Sequence, residues 1–125
     1  MRLYSQFGQS DFQRLYWRIH QSTFSNYDDF KLHASPEDWE AMFGVAVFFE
    51  NMGLLLKRKL AGIDLLDDLL SGPILLTWEK LRPLIEGYRI DTKKPQIAEW
   101  FEFLYHRMNE RLKLLAAQGK PVARA

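Results

Sequence analysis

The 125-residue chain contains no cysteine. That excludes a disulfide framework, a thiolate metal site and a cysteine nucleophile, and it suits a reducing compartment. Excess charge of one sign is also missing: 17 Lys and Arg stand against 16 Asp and Glu, a net charge of +1. Nucleic-acid binders usually gather a basic excess on one face, so no nucleic-acid partner is expected. No glycine-rich phosphate loop, H-E-x-x-H or G-x-S-x-G pattern occurs. His20, His33 and His106 lie in separate stretches. Glu102, four residues before His106, reads as an ordinary surface pair, because a di-metal bundle site repeats Glu-x-x-His twice. The expectation is therefore no metal, no cofactor, no catalytic residue and no enzyme. The first ten residues show no long apolar stretch and no cleavage signature, so no signal peptide is expected and the default is a cytoplasmic protein.

What the chain does have is apolar mass. Hydrophobic residues make up 47% and aromatics 14%, enough for one domain with a true core. The centre of that core is the stretch Trp39 to Leu56, whose only side chains that are neither apolar nor glycine are Glu40, Glu50 and Asn51. A helix apolar nearly all round is one surrounded by other elements. Its uninterrupted apolar run, Ala41 to Phe49, covers nine positions, well short of the roughly 20 a membrane span needs. Glu50 and Asn51 would be costly in lipid. A buried helix of a non-membrane domain is the expectation, and this chain is expected to carry no membrane span.

Around it the pattern predicts an all-α bundle of four long helices and one short one over residues 1–118, with 119–125 a flexible tail. Ser10 caps a first helix carrying Phe12, Leu15, Tyr16 and Ile19 at helical spacing. Ser22 to Leu32 reads as a loop pinned by its rings. Ser35-Pro36-Glu37-Asp38 is a clear helix start, with cap, proline and two acids in the first turn. The central helix (about 36–60) ends where Gly62 can supply a left-handed cap. Gly44 and Gly53 inside it suggest close approach by a neighbouring helix. Asp64 caps a short helix, Leu65 to Leu70, which Gly72-Pro73 stops. A further helix runs from Ile74 straight through Pro83, kinked there. Asp91 to Pro95 is a polar turn, and the last helix carries Ile97, Trp100, Phe101, Leu104, Met108 and Leu115.

Two groups of residues are candidate sites. Glu50, with Asn51, sits in the most apolar helix, and a buried carboxylate needs a partner. Arg82, Glu86 and Arg89 form a charged strip on the later helix; Arg89 is the favoured partner over Arg82, and an arginine fork suits a buried carboxylate better than a lysine does. Such a cluster either locks two helices together or offers an acidic ligand bidentate donors. Trp100 and Phe103, with Phe24, Tyr27 and Phe30, could form an exposed apolar patch for a partner. Core packing is the simpler account of the other aromatics.

From Val45 onward the chain resembles the domain-of-unknown-function 4760 family. The likeness rests on V-F-F-E-N-M-G-L-L-L-K-R-K-L (Val47 to Leu60) and Ile63-Asp64. It continues in Trp78-Glu79, Leu81-Arg82-Pro83, Ile85 and Arg89, and in Trp100-Phe101-Glu102-Phe103-Leu104. The resemblance implies an all-helical domain of bacterial or phage setting with no established activity. Many members carry membrane spans before the domain, so a membrane-associated partner is compatible with it. The expected function is a non-enzymatic protein-interaction or scaffolding module that binds a protein partner or itself. Two alternatives stand beside it: a ligand-sensing domain using Glu50, Arg82 and Arg89, and a small defence-related protein acting on a larger one.

Overall fold

The computed structural model describes residues 10–120, and within them the chain is all helix and turn. The elements are α1 (Ser10–Gln21), α2 (Tyr27–His33), α3 (Pro36–Lys57), α4 (Ile63–Thr92) and α5 (Glu99–Ala117). Four are long and one is short, but the short helix is not the expected one. Residues 22–32 do not form a loop throughout: Asn26 accepts the Asp29 amide at 2.8 Å and starts α2. Conversely, Leu65 to Leu70 is no separate helix. It opens a continuous 30-residue α4 that carries both Pro73 and Pro83 in its interior. Proline frees the carbonyl one turn earlier. Here those carbonyls belong to Leu69 and Glu79, both exposed, so water can satisfy them. The cap of α4 is Gly62, in extended conformation, not Asp64.

Helix α3 starts as its sequence predicts. Ser35 and Asp38 cap each other reciprocally, and Arg18 of α1 grips both, at 3.1 Å and 2.7 Å. Its end differs from expectation. Lys59, with φ 60°, takes the left-handed position expected of Gly62. The amides of Leu60 and Lys59 then reach back to the carbonyls of Leu55 and Leu56 at 2.9 and 3.0 Å, closing the helix.

The core forms where α3 packs on α5 and α1, with α4 behind α5. Val45, Phe49, Ile74, Leu81, Phe101, Leu104 and Met108 are fully buried in it. Gly53 is required there, because a Cβ on it would fall inside the Trp100 carbonyl. Gly44 lies close only to the tip of Leu15. The central helix is not enclosed on every side, however. Phe43 and Val47 are 40% and 55% exposed, and Glu40 and Asn51 continue that open flank. By length and composition, Pro36–Lys57 is long and apolar enough to cross a membrane, with a mean hydropathy of 1.3. In the fold it lies against α1 and α5. Of the expected tail, residues 121–125 lie outside the described residues.

Candidate functional site

Glu50 does have partners, but they are not arginines. Its Oε1 accepts the backbone amides of Trp100 at 3.0 Å and Phe101 at 2.9 Å. Those amides belong to the first turn of α5, whose own cap residue, Ala98, is left-handed and offers no side-chain acceptor. The first amides of a helix have no intrahelical partner. Glu50 therefore caps α5 from a different helix, and a carboxylate suits the positive end of the dipole. Burial pushes the Glu50 carboxyl above its ordinary range; the two amides and the nearby Arg89 pull it down without cancelling that.

Arg89 serves the same turn from the other side. Its Nε donates to the Ile97 carbonyl at 2.7 Å and its Nη1 pairs with Glu102 at 2.9 Å. The expected ion pair between Glu50 and Arg89 is thus replaced by two separate grips on residues 97–102. The remaining members of the expected cluster do not join them. Asn51 points to solvent on the open flank of α3, and Arg82 bonds Glu86 at 3.1 Å as an exposed i, i+4 pair.

The expected aromatic patch divides. Tyr27 and Phe30 are buried. The ring of Phe30 lies against Phe24 and Trp39, and that of Tyr27 against Trp39 and Tyr88. They fasten α2 to α3 and α4 and are not a surface. Trp100 and Phe103 are only half-buried, with ring centroids 5.9 Å apart. Glu102 and His106 approach to 3.6 Å as a surface pair, and among the described residues no cluster could hold a metal ion.

Three features went unread in the sequence. Asp67, its side chain fully buried, takes the Arg111 Nε at 2.8 Å, while Nη1 of the same arginine reaches Asp64 at 2.6 Å. On the opposite face of α4, Leu65, Leu69 and Leu76 are 53%, 64% and 60% exposed. With the half-buried Gly72 between them, they run at i, i+4, i+7 and i+11, along one face of the helix. The third is a basic cavity where the α3–α4 turn meets α5.

No curated protein and no solved structure matches the chain. The family model described as domain of unknown function (DUF4760) matches residues 3–108. The first four helices, the α5 cap and the α4 leucine face all lie within that span, and the chain belongs to the DUF4760 family.

Proposed function

We propose that this domain is a non-enzymatic protein-interaction module that pairs helix to helix through the outer face of α4, with a second copy of the chain as its partner. The observation that carries the reading is the run Leu65, Leu69, Gly72 and Leu76. Its alternating four- and three-residue steps are the seam spacing of paired helices. Gly72 at the middle of the run allows two helix backbones to approach closely. Burying a leucine is worth about 1.5–3 kcal/mol, so three on each copy supply a large favourable term. The polar cluster supports no sensing role, since Glu50 and Arg89 direct their hydrogen bonds to the start of α5.

Sedimentation equilibrium tests the reading directly. The wild type should dimerise at micromolar concentration, and Leu69→Glu with Leu76→Glu should be monomeric. Both side chains lie outside the core, so the thermal midpoint of the variant extrapolated to low concentration should match the wild type. A wild type still monomeric at several hundred micromolar would remove self-association. A heterologous protein carrying the same apolar spacing, as in the defence-related alternative, would then have to be found bound in fixed stoichiometry.

A further inference from the structure

Most arginines in the described chain are neutralised. Arg14, Arg18, Arg82, Arg89 and Arg111 each face a carboxylate. Arg107 does not, and neither do Lys57 and Lys59. These three converge on one cavity of about 390 Å³, with Ile63 and Phe103 among its apolar walls and no carboxylate among its described lining residues. Aromatic rings hold two of the cations in place. Lys57 Nζ stands 5.5 Å from the Phe103 ring centre and 5.9 Å from that of Trp100, and Arg107 Cζ stands 5.7 Å from Phe103. A ring attracts a cation without cancelling its charge. The positive charge here is therefore positioned and still available.

Lys59 adds a separate peculiarity. It occupies the left-handed position that ends α3, with φ 60°. Glycine is the residue usually found there, and a side chain in that conformation costs roughly 1 kcal/mol. Stability alone would favour glycine; the lysine adds a cationic side chain to a residue that lines the cavity.

We propose that this cavity binds the phosphoryl group of a small organic phosphate. Three cations suit a dianion better than a single carboxylate, and the Arg107 fork matches phosphate oxygens. The volume falls in the lower part of the range of roughly 300–1,000 Å³ typical of small-molecule sites, with Ile63 and Phe103 beside the organic part. The phosphoryl group can belong to a soluble metabolite or to a lipid headgroup. Leu60, 74% exposed beside Lys59, makes the second source worth a separate arm.

The test is an amide-resolved NMR titration of the full chain with adenosine triphosphate and with inorganic pyrophosphate. A parallel flotation assay uses vesicles of phosphatidylglycerol in phosphatidylcholine, with pure phosphatidylcholine as the control. Saturable shifts confined to Lys57–Ile63 and the neighbourhood of Arg107 are expected. Arg107→Met and Lys59→Gly should each weaken binding at least about tenfold, roughly 1.4 kcal/mol. Lys59→Gly should do so while raising the melting temperature, which a damaged fold cannot do. Lys93 is a second left-handed lysine, at the end of α4 and away from the cavity. Lys93→Gly should also raise the melting temperature but leave binding unchanged. Flotation with anionic vesicles, lost in the same two variants and without a response to the soluble probes, assigns the phosphoryl group to lipid. Shifts of equal size around Lys93 and Lys94, binding indifferent to both variants, or no binding in either arm would overturn the proposal.

Discussion

Glu50 and Arg89 reach the same turn from different helices and form no ion pair with each other. Glu50 holds the amides of Trp100 and Phe101, and Arg89 holds the Ile97 carbonyl and Glu102. The turn between α4 and α5 contains a left-handed alanine, Ala98, and no side chain of its own that caps α5. Glu50, from another helix, does the work a local serine or aspartate usually does, and Arg89 fixes the turn that leads into it. This explains why a carboxylate persists in the most apolar helix of the chain.

Removing that cap should be costly, and the charge itself should matter less than the oxygen. Glu50→Ala leaves two part-buried amides without an acceptor and should destabilise by about 2–3 kcal/mol. Glu50→Gln keeps an acceptor and should lose less. Because burial raises the Glu50 carboxyl above its ordinary 4.5, the folded state binds that proton more tightly than the unfolded one. Stability from this group is then greatest at low pH and falls as pH rises from 4.5. Urea denaturation from pH 4.5 to pH 7 should show the wild type's advantage over the glutamine variant shrinking. An advantage that grows with pH would mean that the two amides and Arg89 outweigh burial at this carboxyl.

Arg111 should be the most sensitive charged residue outside that turn. Arg111→Met takes the guanidinium away from the fully buried side chain of Asp67 and should cost about 3 kcal/mol, the lower part of the range for a buried pair because the guanidinium is partly solvated. Asp64, at 80% side-chain exposure, should contribute little on its own. Denaturation of Asp64→Asn and Arg111→Met separates the two contacts. Equal effects would mean that the exposed arm carries the interaction.

Much of the fold was legible because helix signals are local. The serine cap, proline and acidic first turn at Ser35 to Asp38 and the helical spacing of α5 all appear in the structure. What failed was continuity. Gly72-Pro73 reads as a stop, yet α4 runs through it, because the tertiary contacts of Leu70, Ile74 and Trp78 on one buried face outweigh one lost hydrogen bond. Splitting the helix hid two consequences. Asp67 lies on the same stripe as Leu70, Ile74, Trp78 and Leu81 and was bound to be buried. Leu65, Leu69 and Leu76 fall opposite that stripe and were bound to be exposed. The Glu50 cap was not readable at all, since it joins residues fifty positions apart and involves only backbone at one end.

Gly53 and Gly44 should respond oppositely to alanine. At Gly53 the methyl would meet the Trp100 backbone, pushing α5 from α3 and pulling its amides off Glu50, for a loss of about 3 kcal/mol. At Gly44 it meets only the Leu15 Cδ1 at 2.9 Å, which can turn aside, and alanine's better helix propensity offsets the contact. Thermal melts of the two variants decide the point, and similar losses at both sites would mean that α1 is as rigidly seated as α5.

Pro73→Ala and Pro83→Ala test the continuity of α4. Each restores a hydrogen bond within an unbroken helix, so neither should destabilise and each can gain up to about 3 kcal/mol. Circular dichroism should show no loss of helix. A destabilised Pro73→Ala protein would instead indicate that the chain needs a turn at that point.

His20 should make the domain acid-sensitive. It sits between helices, with Nε2 3.0 Å from the Oγ1 of fully buried Thr77 on α4 and its ring 4.5 Å from Tyr16. Burial first, and then the charge of Lys80, hold its pKa below the ordinary 6.5. The folded state therefore binds this proton less readily than the unfolded chain. The sign follows: the contribution is fully present above pH 6.5 and is lost as pH falls below it. Glu50 acts in the opposite sense over the more acidic range, so the two must be separated by substitution. His20→Gln keeps a hydrogen-bonding group near Thr77 and cannot be protonated. Its urea midpoint should change less between pH 7.5 and pH 5.5 than that of the wild type. Parallel pH profiles for the two proteins would mean that another group controls the acid response and that α1 is not held through a neutral imidazole.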